Sequence, residues 1–223
     1  MDTLERHSLT APRSSNKPLF GLTVLLVEDS RFSSEAARLM CLKSGARLRR
    51  ADCMKSALRH LKLYRPTIVI VDVGLPDGSG LDLIRNLHSN VPRIPVILGT
   101  SGDDTLFSAT IQAGANGFLA KPYCDLAQFQ TKILGHLPAP LKTLSPLPAV
   151  GTDITPDTAA LRDDFQHAIE ALEDISNARY TRDFLFSLAH CINDKTLAHL
   201  ALDGEIEELR RYLLTLLKDL PAL

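Results

Sequence analysis

The chain has 223 residues, 45% hydrophobic and 23% charged, enough for one substantial core plus a smaller element and too apolar for a disordered polymer. A net charge of −1 gives no whole-chain basic excess for nucleic acid or acidic membranes, and the apolar runs fall far short of the ~18 residues needed to span a bilayer. Residues 1–20 hold no apolar stretch of the secretory kind, and Cys41, Cys53, Cys124 and Cys191 form no C-x-x-C pair, so the sequence reads as a cytoplasmic protein with reduced, mostly buried thiols.

Leu22 to Val27 (LTVLLV) is a continuous apolar run ending in Glu28-Asp29, the pattern of a strand buried on both faces of a parallel sheet. Phe32, Ala36, Leu39, Met40 and Leu42 then fall at helical spacing, with Gly45 as the stop. A weaker strand around 47–51 precedes a helix through Ala57, Leu58, Leu61 and Leu63, which Pro66 ends. The β-branched run Thr67 to Val71 ends at Asp72, and Pro76, Gly78 and Gly80 make a loop before a third helix with Leu81, Leu83, Ile84 and Leu87. Ile94 to Leu98 predicts a fourth strand ending near Thr100, followed by a helix over about 103–113. Gly117 to Ala120 predicts a short fifth strand, then Lys121-Pro122 and a helix to about Leu137. Five alternations of strand and helix predict an α/β fold with a five-stranded doubly wound parallel sheet, whose functional crevice lies beyond the carboxyl ends of the strands.

Glu28 and Asp29, Asp72, Thr100 and Lys121 all stand at those strand ends. Three carboxylates converging on one crevice do not all stay ionised without a cation. Two or three carboxylates, a backbone carbonyl and waters are the ligands Mg²⁺ prefers. Such an ion would keep Asp72 an ionised nucleophile, while the Thr100 hydroxyl and the Lys121 ammonium contacted the oxygens of an incoming phosphoryl group. The chemistry this suggests is phosphoryl transfer to an aspartate.

Residues 20–137 closely resemble the receiver domain of bacterial two-component response regulators. The matching pieces are LLVEDS (25–30), VDVGLPDGSG (71–80), PVILGTS (95–101) and GFLAKPY (117–123). The resemblance implies a flavodoxin-like receiver with Asp72 as phosphoacceptor, Glu28 and Asp29 as metal acids, the Gly74 backbone carbonyl as a further ligand of Mg²⁺, and Thr100 and Lys121 as phosphoryl contacts. It also implies Phe118 as a switch aromatic paired with Thr100, and a histidine kinase or histidine phosphotransfer protein as donor. On this reading the chain is a phosphoacceptor that promotes its own phosphorylation and dephosphorylation. An aspartate-nucleophile phosphatase of the haloacid-dehalogenase kind would want a second acid at position 74, which is Gly. Two departures from the commonest receiver pattern stand out: Gly99 and Ser101 flank Thr100, and Gly74 and Gly102 each lie two residues beyond a functional position. Small residues there predict a phosphoryl group open to water and a short-lived signal.

Charge divides the remainder. Residues 19–137 carry fourteen basic and ten acidic side chains, whereas 156–223 carry seven and thirteen, a net −6. Between them, Pro138, Pro140, Pro146, Pro148 and Pro156 mark 138–155 as a linker, and residues 1–18 read as a tail. Thr155-Pro156 has the form of an N-cap and N1 proline. Leu161, Phe165, Ala168, Leu172 and Ile175, and later Ile206, Leu209, Leu213, Leu216 and Leu220, repeat at heptad-like spacing around a middle helix from Arg179 to Ile192. Three helices in 156–223 predict a thin core, and Leu214 and Leu217 add a second apolar edge, so a homodimer is expected to complete a larger bundle. The acidity of this part argues against DNA binding and for output through protein–protein contact. On a helical wheel Phe184, Leu185, Leu188, Cys191 and Ile192 share one side, with His190 roughly opposite. Two alternatives follow: a phosphorelay intermediate carrying phosphate on His190, and a scaffold whose receiver is not phosphorylated.

Overall fold

The computed structural model describes residues 17–123, 125–141 and 157–220. Five parallel strands, β1 (Thr23–Val27), β2 (Arg47–Ala51), β3 (Ile68–Asp72), β6 (Val96–Ser101) and β7 (Gly117–Ala120), form one sheet in the order β2-β1-β3-β6-β7. Between β3 and β6 a two-residue antiparallel ladder, β4 (Gly74–Leu75) with β5 (Gly78–Ser79), shapes the loop after Asp72. The interleaved helices are α1 (Arg31–Ser44), α2 (Met54–Leu63), α3 (Gly80–Ser89), α4 (Phe107–Gln112) and α5 (Leu126–His136). This is the doubly wound α/β sheet the sequence predicts.

Strands β1, β3, β6 and β7 are largely buried because helices cover both faces of the sheet there, whereas the edge strand β2, RLRRA, is mostly exposed. Val24, Leu26, Ile68, Ile70, Val96 and Leu98 point to one face and pack with Met40 of α1 and Phe129 and Ile133 of α5. Leu25, Val27, Val69, Val71 and Ile97 point to the other and pack with Ala57 of α2 and Leu83, Ile84 and Leu87 of α3. At the end of α1, Gly45 adopts φ 82° and its amide reaches the carbonyls of Cys41 and Leu42, the left-handed stop anticipated there. Gly99, conspicuous for its small size in a buried strand, makes room for Thr110 of α4: a Cβ on Gly99 would lie 2.2 Å from the Thr110 methyl.

Among the described residues the C-terminal part contains four α-helices, α6 (Thr158–Ala171), α7 (Ala178–Ile192), α8 (Lys195–Asp203) and α9 (Ile206–Asp219), one more than the three expected from the sequence. The additional helix is α8, nine residues long and set off by left-handed Asn193 and the Asp194 cap on one side and by Gly204 on the other. Helix α6 starts at Thr158 on an Asp157 cap; Thr155 and Pro156, the expected start, lie outside the described residues, as does most of the proline-rich segment. Leu161, Phe165, Leu185, Leu188, Leu197, Leu209 and Leu213 bury one another, so a single chain already closes a core, and Phe32 of α1 packs against it. Leu217 is partly buried on that core, whereas Leu214 is exposed. Cys41 is buried, Cys53 and Cys191 are only partly buried, and all three are free thiols, fewer buried than the sequence suggested. Cys124 lies outside the described residues. No helix among the described residues is long and apolar enough to cross a membrane.

Candidate functional site

The carboxyl ends of β1, β3 and β7 bring four charged side chains to one point. Lys121, just past β7, places its Nζ 2.8 Å from Asp72 Oδ2 and 2.7 Å from Glu28 Oε2. Glu28 and Lys121 are almost wholly shielded from solvent. Glu28, Asp29 and Asp72 each offer a carboxylate oxygen within 4.8 Å of the others. The loop after Asp72 can turn back so closely only because residue 80 is glycine: a Cβ there would sit 1.8 Å from the Asp72 carbonyl oxygen. The Gly74 amide lies 3.4 Å from Asp72 Oδ1. At the far end of the same loop, Asp77 accepts from the amides of Met54 and Lys55 at 2.8 and 2.9 Å, capping α2, whose own N-cap Cys53 supplies no side-chain bond.

Burial and crowding set the electrostatics. Burial is the strongest influence on Glu28 and raises its carboxyl well above the usual range against the pull of Lys121. Asp29 is pushed up to about 7, first by burial and then by the Asp72 charge. Burial alone would lower Lys121, but the Asp72 and Glu28 carboxylates outweigh it and hold the ammonium well above its ordinary value. Lys121 pairs with two of the three acids, Glu28 and Asp72, and Asp29 Oδ1 is buried without a hydrogen-bond partner. Three converging carboxylates with an unpaired oxygen are a donor set suited to a hard divalent cation such as Mg²⁺.

Thr100 is fully buried beside Asp72 in the register of β3 and β6, but its hydroxyl points elsewhere. Thr100 Oγ1 donates to the Leu119 carbonyl at 2.7 Å and lies 2.7 Å from the hydroxyl of buried Tyr123. With its own proton committed to Leu119, Thr100 accepts from Tyr123. Phe118 is buried, edge-on against Phe107 with centroids 6.0 Å apart.

Residues 24–134 match the family described as response regulator receiver domain. This segment is a receiver domain. The KDP operon transcriptional regulatory protein KdpE of Escherichia coli K12 is 32% identical over 140 residues, 61% of this chain and 61% of that protein. The transcriptional regulatory protein PhoP of the same organism is 32% identical over 103 residues, 46% of each. The chain thus spans about half to three fifths of the curated relatives it matches. Among solved structures, the receiver domain of a Pseudomonas aeruginosa sensor histidine kinase, which has a magnesium ion coordinated in its active-site cleft, is 26% identical and covers 52% of this chain and 97% of its own, with a TM-score of 0.46. The receiver of a Syntrophus aciditrophicus histidine kinase is 24% identical over 59% of this chain, with a TM-score of 0.48.

The helical part sits directly on the receiver's carboxylate cluster. Tyr180 of α7 donates its hydroxyl to Asp29 Oδ2. Asp164 of α6 accepts from Ser30 Oγ at 2.7 Å and from the amides of Arg31 and Phe32 at 2.9 and 3.1 Å, filling the N-terminus of α1. Cys191 lies 3.6 Å from Ser33 Oγ, so it faces α1 rather than completing the bundle core as the wheel suggested. Gly102 does not open the site to water: a Cβ there would lie 2.8 Å from Ser187 Cα, because α7 fills the space. Gly74 alone of that pair is open, with nothing within 4 Å. His190 is exposed, its ring against Phe186 and its Nδ1 2.8 Å from the Phe186 carbonyl. Tyr123, Asp164 and Tyr180 escaped the sequence reading. Tyr180 lies 151 positions from Asp29, and Asp164 lies 134 from Ser30, with no local motif to betray either contact.

Proposed function

We propose that the chain is a response regulator phosphorylated on Asp72 in a Mg²⁺-dependent reaction by a histidine kinase or histidine phosphotransfer protein. The supporting observation is the Asp72 carboxylate at the end of β3, 2.8 Å from the Lys121 ammonium and grouped with Glu28 and Asp29. An Asp72 oxygen attacks phosphorus, the P–N bond to the donor imidazole breaks, and the ring nitrogen leaves with the electron pair and picks up a proton. Lys121 balances charge on the phosphoryl oxygens, and Thr100 supplies a hydroxyl once it leaves Leu119 and Tyr123. Glu28, Asp29, Asp72 and the Gly74 carbonyl would hold the Mg²⁺, which when bound neutralises charge between acceptor and phosphoryl group. Thr100 and Phe118 would report the modification as a two-state change.

Output runs through protein contact or a homodimer in the cytoplasm and not through DNA. The region 156–223 carries a net −6, a poor partner for phosphates, although the relatives named above are transcriptional regulators. The deciding experiment is intact-mass spectrometry after incubation with acetyl phosphate and MgCl₂, on wild type and Asp72→Ala. A metal-dependent phosphoryl adduct on wild type alone is the expected result. An adduct that persists in Asp72→Ala points to another acceptor, His190 first among them, and removes this reading.

A further inference from the structure

We infer that α6 and α7 are a reversible cover on the receiver's carboxylate cluster, competing with a divalent cation for Asp29 and with a phosphodonor protein for the surface around it. The inference rests on the proposed role of Asp29 as a metal ligand. Phosphoryl groups must reach Asp72 from beyond the strand ends. That approach is bounded by the β1–α1 turn, the loop at Gly74–Leu75 and the loop at Gly102. In this structure the chain's own helices occupy all three: Asp164 holds the β1–α1 turn, α7 packs on β4, and the Ser187 backbone lies against Gly102.

The contact has the chemistry of a docking site filled in cis. The first amides of α1 form a helix N-terminus, which favours an anion, and the Asp164 carboxylate is that anion. The Arg31–Asp163 ion pair at 2.6 Å extends the contact to the rim. Tyr180 takes one Asp29 oxygen by hydrogen bond, and a cation that needs that oxygen must displace the phenol. The seal is imperfect in a way that suits release. Ser187 Oγ is buried there without a partner, a penalty that undocking removes by returning the hydroxyl to water. A cleft of about 1050 Å³ lined by Asp29, Arg50, Asp164, His167 and Tyr180 runs between the two parts, so a small ion or donor enters where a folded protein does not.

The test uses the full chain, with MgCl₂ titrated calorimetrically into wild type, Tyr180→Phe and Gly102→Ala. The first variant removes only the hydroxyl bound to Asp29. The second leaves the Asp29 and Asp164 hydrogen bonds in place and pushes α7 off by placing a methyl 2.8 Å from Ser187 Cα and 3.0 Å from its carbonyl oxygen and Oγ. Both variants are expected to bind Mg²⁺ at least tenfold more tightly than wild type. In wild type, MgCl₂ alone should speed amide exchange at Arg31, Phe32 and residues 178–192 by at least tenfold. Affinities within twofold of wild type in both variants, or exchange that is unchanged or slower on adding Mg²⁺, overturn the cover. Tightening in Tyr180→Phe alone also overturns it, leaving a local hydrogen bond. No binding in any of the three chains overturns the cover together with the metal site. If Mg²⁺ binding and exchange respond as expected yet acetyl phosphate leaves Asp72 unmodified, the phosphoacceptor reading fails while the cover stands.

Discussion

The hydroxyl of Thr100 is held away from Asp72 by two bonds, and Tyr123→Phe removes one of them. In wild type, moving Thr100 Oγ1 toward a phosphoryl group breaks its 2.7 Å bond to Leu119 and strands the Tyr123 hydroxyl, which is buried in the core between α5 and the sheet. A neutral buried hydrogen bond contributes about 1 kcal/mol net, and an abandoned buried hydroxyl costs about 1–3 kcal/mol. Phenylalanine at 123 keeps the packing and leaves no hydroxyl to strand, so the outward movement of Thr100 becomes easier by about 1–2 kcal/mol, roughly 5- to 30-fold in equilibrium constant. The unmodified variant should lose about 1 kcal/mol in urea unfolding, because its ground-state bond is gone. The assay compares the steady-state fraction of Asp72 adduct, by intact mass at sub-saturating acetyl phosphate, with the urea midpoint. A higher adduct fraction with a lower midpoint is expected. An adduct fraction equal to or below that of wild type, with the loss of stability present, would refute the idea that Tyr123 restrains Thr100.

Lys121→Met leaves the Glu28 and Asp72 carboxylates buried without their shared cation, and urea unfolding at pH 7 should show a loss of about 3–5 kcal/mol that added MgCl₂ partly restores. Asp29, raised from an ordinary 3.8 to about 7, keeps a proton in the folded chain that the unfolded chain gives up between roughly pH 4 and 7. Its contribution to stability is therefore complete below pH 4 and fades as pH rises through 7. Mg²⁺ must displace that proton, so calorimetric affinity should climb from pH 5.5 to about 7 and flatten above. Affinity independent of pH over that range would remove Asp29 from the ligand set. Gly80→Ala drives a methyl into the Asp72 carbonyl and should cost about 3 kcal/mol in urea unfolding, with the adduct on Asp72 lost in the same preparation.

The receiver was legible in the sequence because its information is local. Four of the five strands are short apolar runs that end at a functional residue, β2 being the exception, and the loop glycines and prolines punctuate them. The convergence of Glu28, Asp72 and Lys121 then follows from the parallel sheet, since they are the last or next residues of β1, β3 and β7, and the long Lys121 side chain reaches across the end of the intervening β6. What could not be read was every contact whose partners come from different parts of the chain without a periodic signal. Helix α8 is too short to show more than two apolar turns, so it merged with its neighbours and the bundle was counted one helix short. Asp164 looked like one acid among thirteen in the last third, and nothing in its flanks announces that it caps a helix 133 residues earlier. The direction of the Thr100 hydroxyl was equally hidden, because a threonine at a strand end has the same sequence signature whether it faces an acceptor aspartate or the interior.

Phe32 has a consequence for how such a chain can diversify. It lies in the first turn of the receiver's α1, yet its half-buried ring packs against the core of the C-terminal helices. The boundary visible in composition, a proline-rich stretch after α5, is therefore not the boundary of the packing. Exchanging the C-terminal helices for another output module by cutting at that stretch would leave an aromatic ring uncovered three positions from Asp29, and the new partner would have to offer a pocket for it. Residue 32 and the helical bundle are thus expected to vary together across relatives of this architecture, and a graft that ignores residue 32 should aggregate where a graft paired with a polar substitution there stays soluble.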